Sequence, residues 1–228
     1  MNNDIKYQII FSRRRSISLI VSPDKGVIIR APYGTSLKSI ERFIEEKSEW
    51  IRKHLEKHSR LSRFNHGKKY IEGENHLFMG REHQLNIRES ARPFVRTHDG
   101  IIEVSTKNTS DTLRIKALLD RFYREQAHAY LAGRFEEISG RLRNRGFFPS
   151  GFYVRTLKSR WGSCSFHGRI TISSELIKLD PVFADYVIIH ELCHLKHHNH
   201  GKEFYWLLGE LVPDYKSIRK ELRKYLTK

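Results

Sequence analysis

Between Tyr7 and Ile29 three short apolar runs, YQIIF, SISLIV and VIIRA, are separated by Arg13-Arg14-Arg15 and by Pro23-Asp24-Lys25-Gly26. Runs of this length bounded by turn residues predict strands, and an antiparallel hairpin is the simplest arrangement. Past Pro32-Tyr33-Gly34 the spacing becomes helical. Leu37, Ile40, Ile44, Ile51 and Leu55, supported by Phe43 and Trp50, follow the cap candidates Thr35 and Ser36, so a helix is predicted over about 36–58. Residues 60–75 are polar and basic. HLFMG, QLNIRE, PFVRT and IIEVS then predict further strands joined at Gly80 and at Asp99-Gly100.

At Thr109-Ser110-Asp111 the period changes again, into a long segment carrying Leu113, Ala117, Phe122, Leu131, Phe135, Ile138 and Leu142. Gly133 weakens this helix without forbidding it, and Gly146 and Pro149 end it. Extended pieces follow at GFYVRT, RWGSCS and RITIS, with His167-Gly168 as a turn. After them come a helix opened by Asp180-Pro181, whose stripe Val182, Tyr186, Ile189 and Cys193 should be buried, and one or two helices from about Lys202, interrupted near Pro213. The expected class is α+β, with a mostly antiparallel β region with one helix over 1–108 and a second domain over 109–228.

Composition narrows the setting. Hydrophobic residues make up 39% and charged residues 30% of 228, ordinary for a globular chain that buries a core. The first residues, MNNDIKYQIIF, do not read as a secretory leader, and no apolar stretch is long enough to span a membrane. Two cysteines, Cys164 and Cys193, are too few for a disulfide scaffold, so a cytoplasmic location and no membrane partner are expected. The net charge of +16, more than half of it within the first 70 residues, favours anions. It allows weak nucleic-acid association through a basic surface, but no base-reading motif accompanies it, and a solvated basic face is the preferred explanation.

The chemistry concentrates in His190-Glu191-Leu192-Cys193-His194-Leu195-Lys196-His197-His198-Asn199-His200. Residues four apart share a helix face, so the HExxH pair His190 and His194 can address one cation. With 13 histidines in the chain, chance placement gives HExxH with a probability of roughly 0.06, and requiring His200 six residues on lowers this to roughly 0.003. Catalytic zinc takes three protein ligands and keeps one position open. His200 is the preferred third donor, since Asn199 and Gly201 allow the chain to fold back; Glu203 competes, and Glu210 is more remote. Glu191 is expected to act as the general base rather than as a ligand. Zinc is the expected metal, with other divalent transition metals possible. His197 and His198 are read as solvent-facing, and Cys164 and Cys193 as buried thiols.

RWGSCS (Arg160–Ser165), GRITIS (Gly168–Ser173), DYVIIHELCHLKHHNHGKEF (Asp185–Phe204) and PDYK (Pro213–Lys216) together resemble the YgjP-like metal-dependent hydrolase family of zincin-type metallopeptidases and, more distantly, SprT-like proteases. The resemblance runs from about Ser12 onward and is strongest over Arg155–Lys216. It implies metal ligands at His190, His194 and His200, catalytic Glu191, a zincin-like domain over 109–228, and GRITIS as an edge strand against which substrate pairs. Arg160 and Trp161 lie in the family's glycine-containing motif, where they would either bind substrate or pack behind the metal helix. Tyr205 replaces the family's common Trp, and His197 occupies the position of the metzincin turn glycine. The implied partner is a peptide or protein substrate. Hydrolysis of nucleoside triphosphates or other small anions is the alternative motivated by Arg155, Lys158 and Arg160, and a nucleic-acid-binding module with a structural metal is a third reading.

Overall fold

A computed structural model describes residues 6–22, 26–53, 55, 68–157 and 159–225. The chain divides into two compact units between residues 67 and 68. In the first, strands β1 (Tyr7–Ser12), β2 (Ser18–Ser22) and β3 (Gly26–Pro32) form a sheet in the order β1-β3-β2. The expected hairpin is β2–β3, while β1 runs parallel to β3 on its other side. Most of the turn expected at Pro23-Asp24-Lys25-Gly26 lies outside the described residues.

Helix α1 (Leu37–Glu46) starts at Ser36, whose hydroxyl accepts from the Ser39 amide. The helix turns at Lys47 and resumes over residues 48–53, and its expected end near His58 lies outside the described residues. Ile40, Ile44 and Ile51 pack on Val21, Val27, Ile29 and Ala31, because alternate positions of β2 and β3 face the helix.

The second unit begins with β4 (Asn75–Phe78), β5 (Arg81–Glu89), β6 (Phe94–His98) and β7 (Ile101–Thr106), ordered β4-β5-β7-β6. Helix α2 (Thr112–Leu142) is capped by Asp111, whose carboxylate accepts from the Arg114 amide, and it passes Gly133 unbroken. Strands β8 (Gly151–Arg155), β9 (Gly162–Cys164) and β10 (Arg169–Ser173) form a small sheet. Helices α3 (Pro181–Cys193), α4 (Lys202–Leu211) and α5 (Tyr215–Leu222) complete the unit. The class is α+β, with a β-rich N-terminal half and the HExxH helix packed on β9 and β10.

A division at 108/109 would cut through one core. Leu85, Ile102 and Val104 of the four-stranded sheet bury in the same cluster as Ile115, Leu119 and Phe122 of α2 and Ile188 and Leu192 of α3. The change of period at residue 109 therefore marks a change of element inside a unit.

The stripe Val182, Tyr186, Ile189 and Cys193 describes only part of the buried surface: Val182 is 42% exposed, while Phe183, Ala184, Val187, Ile188 and Leu192 are buried. A helix enclosed by α2, α4, α5 and the small sheet is apolar on most sides rather than along one stripe. GRITIS, expected at a sheet edge, lies inside the sheet. Strand β10 is central in the order β8-β10-β9, paired parallel with β8 and antiparallel with β9, so it has no free edge. The edge beside α3 belongs to β9.

The N-terminus of α3 is held from outside. Asp180 caps it by accepting from the Val182 amide, with Pro181 in the first turn. The β4–β5 turn docks beneath: the Met79 and Gly80 amides donate to the carbonyls of Ile177 and Lys178. Gly80 has φ +77°, and a side chain there would meet the Asp180 backbone at 2.8 Å. Arg134 of α2 grips Asp185 through two hydrogen bonds, Nε to Oδ1 at 2.9 Å and Nη2 to Oδ2 at 2.7 Å. These contacts orient the helix that carries the histidines. Among the described residues no helix is long and apolar enough to cross a membrane.

Candidate functional site

His190 lies in the last turn of α3, and His194 is the residue at which that helix ends. The chain then turns through residues 195–201 before α4, which brings His200 back over the helix end. One nitrogen from each of His190, His194 and His200 lies within 4.8 Å of the other two. His190 Nε2 and His200 Nε2 are 3.0 Å apart. Two imidazole nitrogens sharing a tetrahedral cation stand about 3.3 Å apart, so the spacing suits a common ion.

The surroundings prepare these rings for such a role. His194 Nδ1–H donates to the His197 carbonyl at 3.0 Å, which leaves the Nε2 lone pair free. Burial, together with the neighbouring imidazoles, pushes His190 down to about 3, and burial also lowers His194 and His200. All three are therefore neutral donors near neutral pH. Phe204, fully buried at the start of α4, lies behind them with its ring centre 4.6–4.9 Å from all three imidazole centres. His190 Nδ1 is buried without a hydrogen-bond partner among the described residues. Three neutral imidazoles converging from two elements fit a borderline transition metal such as zinc.

The competing donors are elsewhere. Glu203 is 85% exposed and lies 3.5 Å from His197 Nδ1, while Glu210 is paired with Arg145 at 2.7 Å. His198 stacks on Phe166 with ring centres 5.3 Å apart. Cys193 is fully buried and Cys164 half-buried, and burial raises both thiols.

Glu191 is only 6% exposed, and it lines a cleft of about 250 Å³ together with His190, His200, Arg160, Trp161 and Gly162. Its carboxyl approaches β9 so closely that a Cβ at Gly162 would lie 2.7 Å from Glu191 Oε1 and 2.8 Å from its Cγ. Glycine at 162 is what admits the carboxylate. Gly162→Ala is therefore expected to displace Glu191 and cut hydrolysis by about 10²-fold, the lower range for losing a positioned base, with metal content unchanged. Parallel activity and elemental measurements check this; full activity would show that the close approach has no catalytic weight.

Burial pushes the Glu191 carboxyl up to about 8, against the opposing charge of Arg160. The folded metal-free protein thus holds this proton more tightly than the unfolded chain does. The resulting stabilisation is complete below the ordinary carboxylate pKa and disappears as pH rises through about 8. Glu191→Gln has no such dependence, so its stability advantage over the metal-free parent should grow by roughly 2–4 kcal/mol between pH 5 and pH 9. Denaturant melts at the two pH values test this, and a constant difference would contradict it. The histidines act oppositely, since rings held below their ordinary pKa cost stability as pH falls through that value.

Arg160 and Trp161 both line the cleft, and Trp161 also packs against the main core, its indole nitrogen buried without a hydrogen-bond partner among the described residues. Arg155 lies outside the cleft lining, with its guanidinium over Tyr153, and Lys158 lies outside the described residues. Four contributors were not singled out from the sequence. Gly162 and Phe204 support Glu191 and the imidazoles, while Arg219 and Arg223 line the cleft from the C-terminal segment. Only the recurrence of Arg at 219 and 223, one helical turn apart on one face, hinted at the last two.

Among solved structures, two zymogens are similar over about two fifths of the chain. The metallopeptidase zymogen jannalysin of Methanocaldococcus jannaschii shares 22% identity over 41% of this chain and 94% of its own, with a TM-score of 0.36. The metallopeptidase zymogen abylysin of Pyrococcus abyssi shares 24% over 40% and 90%, with a TM-score of 0.35. No curated protein matches. The family model described as YgjP-like, metallopeptidase domain, matches residues 15–225, which takes in the three histidines, Glu191 and the whole cleft lining, and the chain belongs to this YgjP-like metallopeptidase family.

Proposed function

We propose that this protein is a zinc-dependent peptidase in which His190, His194 and His200 would hold the metal and Glu191 is the general base. The observation that carries this reading is the convergence of three neutral imidazoles on one point, two of them lining an open cleft beside a buried carboxylate. When bound, a divalent cation supplies Lewis acidity, polarising a carbonyl and making a water acidic enough to deprotonate near neutral pH. Glu191, the only carboxylate lining the cleft among the described residues, takes the proton from the attacking water and passes it to the departing amine.

Strand β9 offers a way to hold an extended peptide. Its ladder with β10 is bracketed by Ser173 N–H to the Trp161 carbonyl and Ser165 N–H to the Arg169 carbonyl. In an antiparallel ladder the intervening alternate residues, Gly162 and Cys164, turn their amides and carbonyls to the opposite edge. A substrate paired there would run past Glu191. Arg160 and Trp161, at the head of β9, would contact its flank. The three-imidazole donor set is unlike the cysteine-rich set of a structural zinc site, and the cysteine content supports a cytoplasmic setting.

Incubating zinc-loaded protein with an unfolded protein such as reduced, alkylated lactalbumin tests the reading. Expected are discrete fragments, loss of cleavage on chelation, and recovery when zinc is restored. Intact substrate alongside hydrolysis of a nucleoside triphosphate would overturn it.

A further inference from the structure

The metal cleft does not end at the histidines. Arg219 and Arg223 line it and also line a neighbouring cavity of about 280 Å³, so the two hollows, together termed the groove, meet at these side chains. Five cations border this groove: Arg160 by the head of β9, then Lys216, Arg219, Lys220 and Arg223. The last four recur at spacings of three and four residues and thus share one face of α5 and its continuation. Among the described residues Lys216, Arg219, Lys220 and Arg223 have no acidic ion-pair partner, while Arg160 faces the Glu191 carboxyl. Of the carboxylates near α5, Glu221 pairs with Lys224 and Glu210 with Arg145, and Asp214, at the start of the helix, makes no ion pair with these cations among the described residues. Among the described residues Glu191 is the one carboxylate lining either cavity.

Unpaired like charges brought together beside a reaction site repel one another, and an anionic ligand relieves that repulsion. Arg219 is also held in place, since its Nη1 donates to the Tyr205 hydroxyl at 2.9 Å and its guanidinium lies 5.4 Å from the centre of the same ring. The two tyrosines are committed to protein contacts. Tyr205 stacks on Tyr215 at 5.9 Å, and the Lys216 ammonium lies over Tyr215. Rings engaged in this way are not the open stacking platforms that single-stranded nucleic acid uses, which favours a peptide as the occupant.

The geometry points to a peptide substrate that carries Asp or Glu side chains on one flank of the scissile bond, held by Arg160, Arg219, Arg223, Lys216 and Lys220. This rests on the peptidase reading above. The helix face from Lys216 to Arg223 is about 10 Å long at 1.5 Å per residue. An extended chain advances about 3.3 Å per residue, so the groove spans about three substrate residues.

Two measurements on the full chain test this. In the first, zinc-loaded Glu191→Gln protein is titrated with fluorescently labelled octaglutamate, octaglutamine and a dT8 oligonucleotide. Octaglutamate should bind at least ~10-fold more tightly than octaglutamine, with affinity falling steeply between 50 and 300 mM salt, as for contacts made by several charges. Adding Lys216→Glu and Lys220→Glu, both at exposed positions and with folding followed by circular dichroism, should erase the preference. Equal binding of the two peptides overturns the inference, as does dT8 binding more tightly than octaglutamate. In the second, sites cut in a proteome-derived peptide library by the unsubstituted zinc-loaded protein are mapped by mass spectrometry. Enrichment of Asp and Glu within about three residues on one side supports the inference. Cleavage without enrichment overturns it and leaves the peptidase reading standing. Octaglutamate binding with no peptide cut overturns the peptidase reading, and the substrate class with it.

Discussion

Glu191→Gln is expected to lower kcat for peptide hydrolysis by about 10²–10⁴-fold while the protein keeps its full complement of metal. Glutamine has the same shape, so it fits beneath Gly162 as the carboxylate does. It also leaves His190, His194 and His200 untouched. What it removes is the ability to accept a proton, which no other group lining the cleft replaces, because the remaining titratable side chains there are arginines, Tyr186 and the two histidines. Burial moves Tyr186 up to about 12, further from use as a base. The variant and parent should be compared in one preparation for turnover and metal content. Turnover equal to the parent's would remove Glu191 from its role, and lost metal would mean that the carboxylate helps to hold the ion.

The second large effect concerns His200. Its side chain stands at the exposed rim of the site, unlike the half-buried His190. His200→Ala therefore removes a donor with little packing loss. Loss of an outer-shell partner typically costs 10–100-fold in metal affinity, and loss of a direct ligand should cost more, at least ~10³-fold, with hydrolysis lost alongside. Competition with a chelator of known affinity measures this. Affinity within a few fold of the parent's would identify Glu203 or another group as the third donor. Glu203→Gln is the matched control, and because that carboxylate lies 85% exposed beside His197, it should leave affinity unchanged.

The convergence of the three histidines was readable from sequence because its geometry is local. A four-residue spacing on a capped helix places His190 and His194 without knowledge of the rest of the fold, and six further residues with Asn199 and Gly201 suffice to bring His200 back. Long-range features were not readable in that way. The alternation in GRITIS predicts a strand, but a strand's neighbours depend on pairing across the fold, and here both sides of β10 are taken. The true edge, β9, is three residues long and includes a glycine, so it carries little strand signal. The extent of burial around α3 was underestimated for a related reason: a stripe can be read from one helix alone, whereas Leu192 and Ile188 are buried by partners distant in sequence. The cationic face of α5 resembles any solvated helix surface until the fold sets Arg219 and Arg223 beside His190 and His200. The change of period at residue 109 was real, but it could not reveal that Ile115 and Leu119 bury against Leu85 and Ile102.

Zinc-edge X-ray absorption on the loaded, tag-free protein addresses the convergence of the three imidazoles on a single ion. Expected are one zinc per chain with three imidazole scatterers at about 2.0–2.1 Å and one further light-atom ligand, and loss of one imidazole from the fit in any residual zinc bound to His200→Ala. A first shell containing sulfur, a shell of oxygens alone, or a spectrum unchanged by His200→Ala would contradict that convergence.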